Sequence, residues 1–386
     1  MDFPPGSYTL ICGGTGTGKS TLALILAGTL TRGVSGSLDA PKEGVAAVWQ
    51  DPAAQMCAPT VLDEVRRPLD YHLVPADEGT ALARKLLQTV ALEHIDPGHD
   101  PMRLSGGEQQ RLAFAAAHAL GAPVLVIDEA TSQLDLQSRE ALFAAIDSIE
   151  GLTIVAIDHN VEAHLERATR IIVMGKGGRI LYDGDTLPAH AHQWGVRMPG
   201  ASFPSYRAKA VLSDKRVDCG PLSIPVGAIV ALTGPNGAGK TTFLTSLTTN
   251  KTLVRAGIAW LPQRGSHHLS ADSVAEELGH GAAAFTAQDC GLAGLETRHP
   301  LTLSGGQRQR LAVAAALGRQ DIHVALLDEP SYSQDHEGTE QMINMVTRDA
   351  KQRVTIVASH DEAFIEAVAT HRCEIREGKI GELCPI

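Results

Sequence analysis

Short apolar runs rich in β-branched residues alternate with stretches of helical spacing along the first half of the chain. "YTLIC", "VAAVW", "VLVID", "TIVAI" and "RIIVM" have strand length. "KSTLALILAGTL", "GGEQQRLAFAAAHAL" and "SREALFAAIDSI" place apolar residues at helical intervals. This order predicts an α/β domain on a mainly parallel core sheet with flanking helices. "KGGRILYDG" reads as a hairpin that closes the pattern.

The pattern is written twice. "GGTGTGKST" recurs as "GPNGAGKTT", "RLSGGEQQRLAFAAA" as "TLSGGQRQRLAVAAA", "VLVIDEATSQLD" as "VALLDEPSYSQD", and "VAIDHN" as "VASHDE". Lys240 follows Lys19 by 221 residues and Gln263 follows Gln50 by 213, whereas Ser304, Asp328 and His360 follow Ser105, Asp128 and His159 by 199 to 201. The second copy has therefore lost 8 residues and then another 14 before its signature. Between the copies, "TLPAHAHQWGVRMPGASFPSYRAKA" mixes Pro, Gly and His without periodicity. The predicted division is a first domain at 1–187, a linker at 188–207 and a second domain at 208–386. So short a linker keeps the halves close together.

The repeated motifs carry the chemistry. Gly13, Gly18, Lys19 and Ser20 form a loop that follows a strand and opens a helix, as do Gly234, Gly239, Lys240 and Thr241. Backbone N–H groups in such a loop point inward around phosphate oxygens, and the helix N-terminus adds positive potential. The Lys reaches the β and γ phosphates, and Ser20 or Thr241 offers a hydroxyl to Mg²⁺. Gly14, Gly16, Thr21, Asn236, Gly237 and Thr242 complete the two loops. Asp128 and Asp328 end apolar strands and are expected to hold Mg²⁺; Glu129 and Glu329 follow them, placed to polarise an attacking water. Ser105-Gly106-Gly107 and Ser304-Gly305-Gly306 start helices. An anion site at a helix N-terminus and a plain N-cap are both compatible with that spacing.

Walker A loop, "LSGGE/LSGGQ" signature, acidic strand end with its Glu and a late His, in this order and twice over, resemble the nucleotide-binding domains of ABC ATPases. The resemblance covers nearly the whole chain. It implies two P-loop NTPase domains, each with a helical signature subdomain, pairing head to tail within the chain. Each ATP would then lie between one Walker A and the opposite signature. Lys19, Ser20, Asp128, Glu129 and His159 would share a site with Ser304, Gly305 and Gly306; the second-copy set would share the other with Ser105, Gly106 and Gly107. His159 and His360 would contact the γ-phosphate. Gln50 and Gln263 would sit in Q-loops that sense Mg²⁺ and couple to a partner, and Asp135 and Asp335 fall in the D-loops. In the family, two strands and an adenine-stacking aromatic precede Walker A. Only 18 residues precede Lys19, so the first copy is expected to lack most of those antiparallel strands. Tyr8 is then expected to be packed rather than stacked on adenine, and Tyr206 is the nearest aromatic candidate in the second copy.

"VWQDPAAQM" and "TVLDEV" resemble the Q-loop region of energy-coupling-factor and cobalt-importer ATPases. That likeness implies a transmembrane scaffold docking beside the Q-loops, a small substrate-binding membrane subunit, and micronutrient uptake powered from the inner face of the cell membrane. Another importer or exporter class, and a soluble twin ATPase acting on ribosomes, are the alternatives. The formal net charge of -11 disfavours nucleic acid as a partner. No apolar run is long enough to span a bilayer, and no signal peptide is recognisable at the N-terminus. Six scattered cysteines without a CxxC pair predict reduced thiols in a cytoplasmic protein, and the His267–His268 pair lacks a third ligand at useful spacing.

Overall fold

The computed structural model describes the chain except residues 132, 133, 135, 236, 264, 266–268, 280–284, 320 and 349 and the side chains of Leu136 and Ala208. The chain divides into two compact units, Met1–Pro199 and Gly200–Ile386. In the first, β1 (Tyr8–Cys12) leads into α1 (Lys19–Leu26), followed by β2 (Val45–Val48), α2 (Val61–Tyr71) and α3 (Ala76–Thr89). Then come α4 (Gly106–Ala119), β3 (Val124–Asp128), α5 (Leu136–Asp147), β4 (Thr153–Ile157), β5 (Arg170–Gly175) and β6 (Arg179–Gly184). The strands form one sheet in the order β2-β3-β4-β1-β5-β6, parallel except for the β5–β6 hairpin.

Both faces of this sheet are covered, which explains why its strands read as nearly unbroken apolar runs. Along β1, Leu10 and Cys12 face a core shared with Phe114 of α4 and Leu142 of α5, while Ile11 faces Ala23 of α1. Helix α1 stops at Leu26, short of the stretch its spacing predicts. Gly28 turns left-handed there, and the N–H groups of Gly28 and Thr29 bond back to the carbonyls of Ile25 and Leu24.

The second unit opens with an antiparallel pair, β7 (Arg216–Cys219) and β8 (Leu222–Pro225), which has no counterpart among the described residues of the first. It continues with β9 (Ile229–Thr233), α6 (Lys240–Thr248), α7 (Lys251–Ala256), β10 (Ile258–Leu261), α8 (Val274–Gly279) and α9 (Gly305–Leu317). The remainder is β11 (Val324–Asp328), α10 (His336–Thr347), β12 (Val354–Ala358), α11 (Glu362–Val368), β13 (His371–Arg376), β14 (Lys379–Ile380) and β15 (Cys384–Pro385). The sheet order β10-β11-β12-β9-β13-β14 repeats that of the first unit, with β15 added beside β13.

Residues 188–207, whose composition reads as a linker, are divided between the units. Ala191 and Val196 are buried in the first, and the Trp194 carbonyl accepts from the Gly14 N–H at 3.1 Å. In the second, Phe203 and Tyr206 pack on the core, and the Tyr206 N–H donates to Ala367 at 2.7 Å. That core lies on the sheet face away from α6, so Tyr206 is an anchor to α11 and not an aromatic beside the phosphate loop. The six cysteines are free thiols. Among the described residues, no helix is long and apolar enough to cross a membrane.

One brace survives the shortening of the second copy. Buried Glu64 accepts from the N–H groups of Cys57 at 2.9 Å and Ala58 at 2.7 Å, fastening the chain that leads into α2. Buried Glu277 does the same for Ser270 and Ala271, both at 2.9 Å, at the start of α8. Removing either carboxylate strands two amide donors that had a charged acceptor. Glu64→Ala or Glu277→Ala should therefore lower stability by about 2 kcal/mol, read from the urea midpoint of that unit's transition.

Candidate functional site

Three adjacent parallel strands bring the chemistry of each unit together. In the first, β3, β4 and β1 are neighbours whose C-terminal ends deliver Asp128-Glu129, Asp158-His159 and the loop Gly13–Gly18. In the second, β11, β12 and β9 deliver Asp328-Glu329, Ser359-His360 and Gly234–Gly239.

Each loop is wrapped tightly around its own backbone. Gly13 (φ 133°) and Gly234 (φ 139°) have room for hydrogen only: an added Cβ would lie 2.2 Å from the Met174 carbonyl oxygen and 2.3 Å from that of Ile375. Lys19 Nζ donates to the Gly13 and Gly14 carbonyls at 2.8 and 2.9 Å, and Lys240 Nζ to those of Gly234 and Pro235 at 2.7 and 3.1 Å. Gly18 and Gly239 are the left-handed N-caps from which α1 and α6 begin. Gly16 and Gly237 lie within these loops, and Thr21 and Thr242 are exposed on the first helical turns. Asn236 lies outside the described residues.

Beside each loop, a hydroxyl meets a carboxylate. Ser20 Oγ lies 3.4 Å from Asp128 Oδ1, and Thr241 Oγ1 donates to Asp328 Oδ2 at 2.6 Å. Burial, with Glu129 adding repulsion, pushes the Asp128 carboxyl up to about 7. Burial likewise raises Asp328, and burial with Asp328 pushes Glu329 up to about 7. Clustered oxygen donors whose charge is disfavoured as they stand suit a small hard cation, so Mg²⁺ fits both sites.

Glu129 and Glu329 adopt φ of 52° and 48°, a left-handed conformation costly for a residue with a side chain. Their N–H groups are held by the Ile157 and Ala358 carbonyls, both at 2.8 Å. In the first unit, Glu129 Oε1 faces His159 Nε2 at 3.2 Å, and Oε2 accepts from Gln50 Nε2 at 2.7 Å. In the second, Glu329 Oε1 faces His360 Nε2 at 3.8 Å, and Oε2 accepts from Ser359 Oγ at 3.1 Å. Gln263 is exposed beyond β10, and no hydrogen bond joins it to Glu329 among the described residues. The two Q-loop glutamines thus differ. Asp135 lies outside the described residues, while Asp335 caps α10 by accepting from the Gly338 N–H at 2.7 Å.

The signature serines are N-caps of α4 and α9. Ser105 with Glu108, and Ser304 with Gln307, form reciprocal capping boxes. Gly106 and Gly305 start these helices, and Gly107 and Gly306 pack where a Cβ would lie 2.9 Å from Ser138 Oγ or 2.6 Å from the Ser333 carbonyl oxygen. The pattern of repeats did not single out Asp158 and Ser359. The available signal was their difference: they precede the late His in both copies but are an acid in one and a hydroxyl in the other.

Gly13→Ala forces a methyl group against the Met174 carbonyl at an unfavourable φ. It should cost about 3 kcal/mol and lower the first unit's melting transition, followed by circular dichroism.

The ABC transporter family profile matches residues 1–132 and 220–332, more than half of the chain. A provisionally assigned ABC transporter ATP-binding protein of Treponema denticola is 27% identical, the match covering 100% of this chain and 92% of the relative. A Bacillus subtilis protein provisionally assigned as the HMP/thiamine import ATP-binding protein YkoD is 26% identical over 96% of this chain and 84% of its own length. Among solved structures, archaeal ribosome recycling factor aABCE1 in complex with ribosomal stalk protein aP1 shares the fold, with a TM-score of 0.65, 24% identity and coverage of 100% of this chain and 87% of that one. Two phosphate loops, two acidic strand ends and two signature helices are accounted for by one conclusion: the chain belongs to the ABC transporter family and is an ATPase.

Proposed function

We propose that this ATPase is the energy-supplying subunit of an importer of the energy-coupling-factor type, working from the inner face of the cell membrane on a separate membrane protein. Its full-length correspondence with transporter ATP-binding proteins, one of them named for HMP/thiamine import, carries the reading. A vitamin or metal ion selected by another membrane subunit is the substrate class. The scaffold protein docks beside the Q-loops that contain Gln50 and Gln263. The likeness to the ribosome recycling factor is one of fold.

Within this reading, Lys19 and Lys240 hold the β and γ phosphates, and Ser20 with Asp128, and Thr241 with Asp328, would hold Mg²⁺ together with the Q-loop glutamines, an ion that would supply positive charge against the phosphoryl oxygens. Glu129 and Glu329 take up the water's proton and aim its oxygen; His159 and His360 orient the γ-phosphate. ATP binding favours one conformational state of the chain, and loss of the γ-phosphate releases it.

Glu129→Gln with Glu329→Gln should lower steady-state phosphate release by about 100-fold or more while leaving ATP bound. Undiminished release would refute the role of the two acids. Affinity capture of the tagged chain from detergent-solubilised cells, read by mass spectrometry, tests the partner. A multi-spanning membrane protein accompanied by a small membrane subunit is the expected result. Ribosomal proteins without a membrane protein would overturn the transporter reading.

A further inference from the structure

Behind the first site lies a buried polar cluster with no equivalent among the described residues of the second. Tyr8 Oη and His164 Nδ1 are 2.7 Å apart, and His164 Nε2 lies 3.2 Å from Asp158 Oδ2. Thr131 Oγ1 donates to the same Asp158 oxygen at 2.5 Å and lies 3.1 Å from His164 Nε2. The Asn160 N–H donates to Asp158 Oδ1 at 2.8 Å. Tyr8, Thr131, Asp158 and His164 are all buried. Phe143 of α5 meets His164 edge-on with ring centroids 5.4 Å apart and carries Arg167, paired with Asp147, over its own ring. A single arrangement satisfies every donor: Tyr8 donates to Nδ1, and Nε2–H and the Thr131 hydroxyl both donate to Asp158. Burial opposes ionisation of Asp158, yet the His164 and Thr131 bonds hold its carboxyl below the usual range.

The β1–β4 register pairs Tyr8 with Ile154, and the β9–β12 register pairs Ile229 with Thr355, so Ile229 is the counterpart of Tyr8. The repeat equates Thr131, Asp158 and His164 with Ser331, Ser359 and Ile365. In the second unit the tyrosine and histidine are thus isoleucines, and the Ser331 and Ser359 hydroxyls are 3.3 Å apart. Ser359 there donates directly to Glu329. A carboxylate cannot do so; pointed at Glu129, Asp158 would repel it. The cluster turns that acid inward and satisfies it. It grips both sides of the hydrolytic pair, because Asp158 immediately precedes His159 and Thr131 is two residues beyond Glu129.

We propose that Tyr8, Thr131, Asp158 and His164 are positioning residues that hold His159 against Glu129, and that they set the hydrolysis rate of the first site independently of the second. The inference rests on the assignment of Glu129 and His159 to ATP hydrolysis.

The test uses the full chain carrying Glu329→Gln, in which single-turnover conversion of bound, labelled Mg-ATP reports the first site. His164→Phe, which keeps a ring but no hydrogen bonds, should slow conversion about tenfold with ATP affinity changed less than about twofold. His164→Gln can accept from Tyr8 and donate to Asp158, and should restore most of the rate. Tyr8→Phe, a smaller change should the His164→Phe chain fail to fold, should slow conversion about threefold. Rates within about twofold of the parent in both the His164→Phe and Tyr8→Phe chains would overturn the proposal. So would equal loss in the His164→Phe and His164→Gln chains, which would leave His164 a packing residue. Conversion that persists when Glu129→Gln is added would instead overturn the underlying assignment of the hydrolytic residues.

Discussion

The phosphate loop, the acidic strand end and the late histidine of each unit depend on one backbone constraint: three parallel strands are bonded side by side and end on the same edge of the sheet. The ladder between β3 and β4, and that between β4 and β1, fix where Asp128, His159 and the Gly13–Gly18 loop can lie relative to one another. The two loops turn through glycines that leave no space for a Cβ, so their backbone shape is set by contact with the next strand. Glu129 and Glu329 sit in a left-handed conformation that the isolated dipeptide would avoid, maintained by a hydrogen bond from the backbone N–H to a carbonyl of the neighbouring strand. The sheet supplies the rigidity that the site requires.

On this shared frame, the copies solve one problem in two ways. Each Glu needs a donor for its second oxygen, and the first unit supplies the Gln50 amide while the second supplies the Ser359 hydroxyl. The choice propagates inward. The acid before His159 is bonded by Thr131 and His164, with Tyr8 behind, whereas the serine before His360 stands with buried isoleucines, Ile229 and Ile365, at the positions equivalent to Tyr8 and His164. Here the copies diverge in what surrounds Glu129 and Glu329, while both keep the acid at the strand end and the late histidine.

The strands, the helices and the glycine loops between them were legible along the chain because they depend on local pattern: apolar runs of strand length, glycines at fixed spacing, acids at strand ends; the order of the strands within the sheet was not. The end of α1 was less so, since a glycine in a helical pattern is also tolerated in a helix interior, whereas Gly28 turns left-handed. Residues 188–207 look like linker by composition, but Ala191, Val196 and Tyr206 find cores that no local pattern announces. The signature serine was open to two readings, and the capping boxes satisfy the N-cap one without removing the other. The buried cluster was out of reach for a physical reason: Tyr8 and His164 are 156 positions apart and meet only through strand pairing. Alone, either looks like an ordinary core residue.

The account stands on two nucleotide sites per chain, each organised around its own lysine. Equilibrium dialysis of the full chain against a labelled, non-hydrolysable ATP analogue with Mg²⁺ measures this directly. The account predicts two bound per chain, one after Lys19→Ala, and none after Lys19→Ala with Lys240→Ala. One bound by the parent chain, or two still bound after Lys19→Ala, would contradict it.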